Sequence, residues 1–218
     1  KKLKLKHPIL WEVINQEVMD KLTFSELDLS AAYALHDLSR YSDDVETLLV
    51  NSLNDDILHD YMRELHCSSV LFTGGGILPK KLLEINNMRF IHIHPGFLPS
   101  IRGADCVLWS TLLTGRVSAS CFYMSPGIDD GDIVLPCWLP EIFFEADIST
   151  IELKDIYRSI YSYFDPWVRS FVLRNIINLY SEFNNMPAIE QNNEDGVTHH
   201  FMHDYMKKSV LEILFKKK

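Results

Sequence analysis

Residues 69–94 read SVLFTGGGILPKKLLEINNMRFIHIH, and this stretch decides the fold class. Ser69 to Thr73 is a short apolar run typical of a buried strand, and three glycines end it. A short helix is predicted over Ile77 to Ile85, and Arg89 to His94 is a second strand that stops at Pro95. Strand, helix and strand in this order indicate a sheet covered by helices.

The alternation continues beyond this stretch. A helix is predicted over Ala104 to Thr114 with Gly115 as its C-cap, followed by strands over Ala119 to Met124 and Ile133 to Leu139. The pattern predicts an α/β fold, a three-layer sandwich with a mostly parallel central sheet. The other predicted elements are helices over 8–20, after Asn54-Asp55, over 149–163, over 166–184 with Asp165 as N-cap, and over 201–215, and a β-like run over 47–50.

The composition indicates a globular, cytoplasmic protein. The 218 residues are 47% hydrophobic and 23% charged, which is enough for one α/β core. The net charge of −9 argues against broad nucleic-acid binding, because surfaces that bind nucleic acids are basic. No apolar stretch approaches the roughly 20 residues that span a bilayer, so we expect no membrane partner. Four cysteines without a close pair favour free, buried thiols: Cys67, Cys106, Cys121 and Cys137.

Two histidines and an acidic turn are the candidate chemical groups. His92 and His94 lie two residues apart on a predicted strand, so both rings share one face of the sheet. Ligand crevices of open α/β sheets lie beyond the carboxyl ends of strands. His94 is the last residue of this predicted strand, so both histidines lie near such an end. The loop Gly127-Ile128-Asp129-Asp130-Gly131-Asp132 follows another strand, and a carboxylate that meets His94 would orient its ring.

Residues 68–138 resemble the folate-dependent formyltransferases, which act on glycinamide ribonucleotide, methionyl-tRNA or nucleotide-linked amino sugars. The resemblance is carried in order by Gly76-Ile77-Leu78-Pro79, His92-Ile93-His94-Pro95-Gly96-Phe97-Leu98-Pro99, Arg102-Gly103-Ala104 and Gly127-Ile128-Asp129-Asp130-Gly131-Asp132-Ile133. It implies a Rossmann-like formyltransferase fold, with residues 1–184 as the catalytic domain and 185–218 as a linker and an amphipathic helix.

The resemblance also implies the chemistry. His94 is the catalytic histidine and Asp129 its aspartate, and a protonated His94 donates to the oxyanion that develops on the formyl group. The donor is 10-formyltetrahydrofolate, whose pterin lies between Gly76, Ile77, Leu78 and Gly127, Ile128, Asp129. The acceptor is a small-molecule amine, with an amino sugar on a nucleotide carrier as the leading candidate, because the segment after Gly196 shows no tRNA-binding domain.

Two positions depart from the family pattern. His92 stands where the family has asparagine, and Gly96 stands where it has serine. We predict that a neutral His92 takes over the donor role of the asparagine amide. The glycine-rich phosphate loop that opens many family members is not found between Lys1 and Leu53, so the chain is expected to start inside the domain or to have diverged there.

Two alternative functions stay open. His92, His94 and a carboxylate of Asp129 or Asp132 could form the His₂-carboxylate site of a metal-dependent hydrolase. A relative that binds folate without catalysis is the other alternative function. His199 and His203 lie one helical turn apart, but we expect a solvated helix start there and no metal. The aromatic residues between Tyr161 and Trp167 suit helix packing or a subunit surface, which leaves a homodimer open.

Overall fold

A computed structural model describes residues 2–22, 34, 36–66, 68–74 and 76–216. The strands are β1 (Ser69–Phe72), β2 (Arg89–His94), β3 (Ile101–Gly103), β4 (Ser118–Tyr123), β5 (Ile133–Trp138), β6 (Phe144–Glu145), β7 (Val197–His199) and β8 (Phe215–Lys216). The α-helices are α1 (Lys2–Lys6), α2 (Pro8–Leu22), α3 (Asp56–Glu64), α4 (Lys80–Leu83), α5 (Cys106–Thr114), α6 (Leu153–Ser159), α7 (Asp165–Leu179) and α8 (Asp204–Leu214). A π-helical turn, Ile160–Phe164, joins α6 to α7.

The predicted α/β class is confirmed, and the central sheet has the order β1-β2-β4-β5. β1 and β2 are parallel, as are the small pairs β3-β7 and β6-β8. The mostly parallel character is confirmed, because β1, β2 and β5 run in the same direction, while β4 is antiparallel to both β2 and β5. His94 at the end of β2 faces Ser120 near the start of β4. The segment between them therefore leaves and re-enters the sheet at the same edge. β4 then runs beside β2 in the opposite direction.

Successive side chains of β2 point to opposite faces of the sheet, so one set lies in the main core and the other lies toward the site. Ile91 and Ile93 belong to the main hydrophobic core, which they share with buried side chains of α2, α5, α7 and α8. Phe90 points the other way, into a smaller cluster formed with α3 and α4. His92 and His94 have the same parity as Phe90, so they lie on this second face.

Local signals set several helix ends as predicted, and one differently. The Asp55 carboxylate caps α3 by accepting from the Ile57 N–H at 3.1 Å. Gly115 ends α5 with a φ of 71°, a conformation that glycine adopts without strain. The prediction of Asp165 as an N-cap is wrong, because Asp165 is the first residue of α7 and accepts from Arg169 one turn later.

Some predictions concern regions without regular structure. Residues 47–50, predicted as β-like, do not form a strand in the structure. Cys106, Cys121 and Cys137 are free thiols, as expected, whereas Cys67 lies outside the described residues. Among the described residues, no helix combines the length and the apolar character that crossing a membrane would require.

Candidate functional site

A cavity of about 1220 Å³ opens at the carboxyl ends of β1 and β2. Residues 72–74 and 76–78 line one part of the cavity, and the segment from Met124 to Asp129 lines another. His92 lies between them. The structure therefore brings together at one cavity all the residues predicted to hold the pterin, which are Gly76, Ile77, Leu78, Gly127, Ile128 and Asp129. Gly75 lies outside the described residues.

His94 and Asp129 meet as predicted. The distance from His94 Nδ1 to Asp129 Oδ2 is 3.5 Å, within reach of a short proton path. The same carboxylate oxygen accepts from the Gly103 N–H at 2.9 Å. Asp129 has a φ of 55°, and its backbone carbonyl accepts from Gln191 Nε2 at 3.0 Å, which holds the turn in this conformation.

The protonation state of His94 differs from the prediction. The residue is only 3% exposed and does not line the cavity, which Asp129 reaches instead. Burial, followed by the nearby His92 and Arg169, lowers the pKa of His94 to about 3. Burial also raises the pKa of Asp129 above its ordinary value. His94 is therefore neutral at pH 7 in this structure, and it is not the cation that the resemblance implied.

The departure at Gly96 has a steric reason. A Cβ atom at this position would lie 2.3 Å from the Ile101 carbonyl oxygen and 2.8 Å from His94 Nε2. The Ser120 hydroxyl donates to the Gly96 carbonyl at 2.7 Å and accepts from the Leu98 N–H at 3.0 Å, which holds the loop closed. This loop packs against His94 so closely that only glycine fits.

His92 does not have the donor role predicted for it. Its Nδ1 lies 2.7 Å from the Phe72 carbonyl oxygen, which can only accept, so Nδ1 carries the proton. Its Nε2 lies 3.4 Å from Arg169 Nη1 and therefore accepts. Burial, the largest cause, lowers the pKa of His92, which keeps the ring neutral as expected. A neutral His92 in this position has no proton left for a ligand.

Arg169 and Asp165 are site residues that the sequence analysis missed. Both line the cavity from α7, about 75 residues downstream of His92. Asp165 Oδ2 accepts from Arg169 Nε at 2.8 Å, and the Ile93 carbonyl accepts from Nη1 at 2.9 Å. The available signal was an acidic and a basic residue four positions apart at a helix start, which is common on solvated helices.

The segment from Thr198 to Phe201 also lines the cavity, although the sequence predicted a solvated helix start there. β7 pairs with β3, and the Trp109 indole donates to the His200 carbonyl at 2.9 Å. Asp105 also holds this region in place, because its carboxylate accepts a hydrogen bond from the Met202 N–H at 2.8 Å. The C-terminal part of the chain thus forms one side of the site.

The ligand set of the alternative hydrolase is not assembled. Within the described residues, no group of three or more His, Cys, Asp and Glu side chains is arranged to hold a metal ion. Both ring nitrogens of His92 already have protein partners. His203 accepts from the Tyr205 N–H as the N-cap of α8, and His199 stacks on Trp109 with ring centroids 4.6 Å apart. The histidines near the C-terminus therefore serve structural contacts.

Comparisons with known proteins give the family. The formyl transferase family model matches residues 31–155. The chain is 29% identical over 148 residues to the methionyl-tRNA formyltransferase of Clostridioides difficile (strain 630), covering 67% of this chain and 40% of that protein. It is 43% identical over 63 residues to the protein of the same name from Syntrophus aciditrophicus (strain SB), covering 28% and 20%. The chain thus spans less than half the length of these curated relatives.

Solved structures also match. A 4-N formyltransferase from Francisella tularensis is 24% identical with a TM-score of 0.43, covering 67% of this chain and 54% of that chain. A formyltransferase from Anoxybacillus kamchatkensis, solved with a UDP-linked formamido sugar and tetrahydrofolate, is 22% identical with a TM-score of 0.41, covering 62% and 65%. Because the family model covers more than half of the sequence and includes both cavity loops, this chain belongs to the formyl transferase family.

Proposed function

We propose that this chain transfers a formyl group from 10-formyltetrahydrofolate to a primary amine. The observation that carries the proposal is the His94–Asp129 pair, 3.5 Å apart, with Asp129 lining a cavity that two glycine-containing loops enclose. An acyl transfer to an amine needs a group that takes a proton from the attacking nitrogen, and Asp129 is placed to do so.

The cavity suits the flat ring system of the donor. Ile77 is 86% exposed and Ile128 is 61% exposed, although both line the cavity. Covering such exposed apolar side chains with a planar ring lowers the free energy, because apolar surface is removed from water. Backbone groups of Gly76 and Gly127 would complete the contact, since glycine lets a ligand approach the main chain closely.

We propose roles within the pair that differ from those the resemblance implied. A neutral His94 serves to orient Asp129, because its Nδ1 faces Asp129 Oδ2 from the buried side. Asp129 faces the cavity, and the pKa that burial raises makes it a stronger base than an ordinary carboxylate. We propose that Asp129 accepts the proton of the amine, directly or through one water molecule.

The proposed acceptor is an amino sugar on a nucleotide carrier. A net charge of −9 makes tRNA an unfavourable partner, because tRNA binding depends on basic surface that displaces counterions. Several relatives are nevertheless named for methionyl-tRNA. Both classes of acceptor therefore belong in the first assay.

The test is release of tetrahydrofolate from 10-formyltetrahydrofolate with a panel of nucleotide-linked amino sugars, methionyl-tRNA and simple amines. We expect release that depends on one acceptor class. Asp129→Asn should lower turnover by about 10²- to 10⁴-fold, because it removes the proton acceptor and keeps an oxygen for the Gly103 N–H. Asp132→Asn is the matched control, because Asp132 is exposed in the same turn, and it should match the parent.

The alternative of a non-catalytic folate-binding relative predicts another result. Calorimetry would then show binding of the donor, while no acceptor in the panel releases tetrahydrofolate. Equal turnover of Asp129→Asn and the parent would contradict the role of Asp129 even if transfer occurs.

A further inference from the structure

We propose that Arg169 is a further catalytic residue, whose guanidinium donates hydrogen bonds to the oxyanion that forms at the formyl oxygen. His92 and Asp165 act as its positioning residues. The inference rests on the formyl transfer proposed above, and it names the electrophilic group that this transfer requires. Removal of such a preorganised donor typically costs on the order of 10²- to 10³-fold in rate.

The guanidinium is held at two of its three nitrogens. Nε donates to Asp165 Oδ2 at 2.8 Å, and Nη1 donates to the Ile93 carbonyl at 2.9 Å. Among the described residues, Nη2 has no hydrogen-bond partner. Arg169 lines the cavity beside His92 and Asp129, and its side chain is 32% exposed. A rigid fork with donors left over at a cavity wall is suited to an oxygen that gains negative charge.

His92 explains why the donor has moved to another residue. An asparagine at this position, as in the family pattern, would offer its own amide N–H groups. The His92 ring instead gives its Nδ1 proton to the Phe72 carbonyl and turns Nε2 toward Arg169 Nη1, 3.4 Å away. The position that supplies the amide donor in the family pattern thus supplies an acceptor here. That acceptor orients an arginine, and the arginine carries both the charge and the donors.

At neutral pH, the charge states of the groups around the guanidinium leave Arg169 as the cation that can donate to the oxyanion. The titratable groups whose pKa values respond to the Arg169 charge include Asp165, Asp129, His92, His94 and the Cys106 thiol, whose pKa burial raises so that it stays neutral. Burial lowers the pKa of both histidines, and Arg169 lowers it further, so neither ring competes with Arg169 as a cation. Burial raises the pKa of Asp165 and Asp129, whereas Arg169 lowers both. An arginine side chain stays protonated throughout, so it donates without losing a proton.

The transfer balances without another reactant. The amine nitrogen forms a bond to the formyl carbon while the carbonyl electron pair moves to oxygen, next to Arg169. Asp129 takes one proton from that nitrogen. Collapse of the oxyanion breaks the bond from the formyl carbon to N10 of the donor, and N10 leaves with the proton that Asp129 returns. Arg169 keeps all its protons.

The kinetic test compares Arg169→Met and Arg169→Lys with the parent, using 10-formyltetrahydrofolate and either hydroxylamine or the best amine of the panel. We expect Arg169→Met to lower kcat by about 10²- to 10³-fold with little change in KM for the amine. Lysine cannot reach both Asp165 and the Ile93 carbonyl, so Arg169→Lys should lose about 10-fold or more. Arg174→Lys is the matched control, because Arg174 lies on the same helix and does not line the cavity.

A second readout does not depend on turnover. The oxidation-stable analogue 10-formyl-5,8-dideazafolate, labelled with ¹³C at the formyl carbon, is bound to each variant, and its carbonyl stretch is recorded by infrared difference spectroscopy. Donation from Arg169 should shift the stretch to lower wavenumber in the parent and in Arg174→Lys, and Arg169→Met should abolish that shift. His92→Ala should reduce the shift, because it releases Nη1.

Each outcome decides between proposals. A parent that transfers formyl groups while Arg169→Met keeps its kcat and its carbonyl shift overturns the role of Arg169 alone. A change confined to KM for the amine also overturns it, since Arg169 would then bind the acceptor. If the parent binds the analogue but no amine in the panel causes release of tetrahydrofolate, the proposed transfer is overturned. The role of Arg169 is then overturned as well.

Discussion

At the scale of single residues, Gly96 shows how one side chain shapes the site. The loop that follows β2 packs the Gly96 Cα against the His94 ring and the Ile101 carbonyl. His94 is also only 3% exposed, and burial is the largest cause of its low pKa. The glycine and the neutral histidine therefore both belong to one closely packed region of the site.

We predict that Gly96→Ser, which restores the residue of the family pattern, destabilises the fold by about 1–3 kcal/mol, because the new Cβ atom overlaps the Ile101 carbonyl. Gly96→Ala is the control, since it adds the Cβ atom without a hydroxyl and should lose a similar amount. The measurement is the free energy of unfolding in urea. A Gly96→Ala variant as stable as the parent would show that the loop opens at no cost.

At the scale of elements, Asp155 fastens the N-terminal helices to α6. Its carboxylate accepts from Lys6 Nζ at 2.6 Å and lies 2.9 Å from His7 Nε2, although these residues are about 150 positions away in the chain. The hydrogen bonds from Lys6 and then His7 lower the pKa of Asp155 from 3.8 to about 2. The junction of α1 and α2 is thus held by a charge contact.

This contact predicts a pH dependence of known sign. A carboxylate whose pKa is lower in the folded state stabilises the fold above its unfolded pKa, and the contribution is lost as the pH falls through the folded value. We expect the difference in unfolding free energy between the parent and Asp155→Asn to be constant above roughly pH 5 and to shrink as the pH falls through 3.8 toward about 2. Parallel curves for the two proteins across that window would contradict the assignment.

At the scale of the whole molecule, the last helix, α8, packs into the main hydrophobic core. Val210, Leu211, Leu214 and Phe215 are buried in the same core as Ile91 and Ile93 of the central sheet. Asp105 links this part to the rest, because its carboxylate accepts from the Tyr157 hydroxyl at 2.7 Å, the Tyr161 hydroxyl at 2.9 Å and the Met202 N–H at 2.8 Å.

We predict that Asp105→Ala costs at least about 2 kcal/mol of stability, because three donors lose their acceptor in a buried place. Tyr157→Phe and Tyr161→Phe each remove one donor and should cost about 1 kcal/mol or less. Hydrogen exchange should show faster opening of residues 197–203 in Asp105→Ala than in either tyrosine variant. Equal exchange in all three variants would mean that the β3–β7 pairing and the Trp109–His200 hydrogen bond hold the segment without Asp105.

The sequence by itself determined the features that depend on short-range rules. Alternation along a strand placed His92 and His94 on one face, and glycines beside Ile77 and Ile128 predicted two loops that approach a ligand. The order of these motifs along the chain then indicated the formyl transferase family, and His94 and Asp129 lie together as it implied.

Tertiary structure alone decided the direction of β4, the neutrality of His94 and the meeting of Arg169 with His92. Each depends on contacts between residues that are distant in the chain, such as the 77 positions between His92 and Arg169. Burial sets a pKa only when the surrounding segments have packed, and a histidine shows which nitrogen holds its proton only through its partners. The local pattern of residues predicts neither the pKa nor the protonated nitrogen, because both depend on atoms that only the fold brings close.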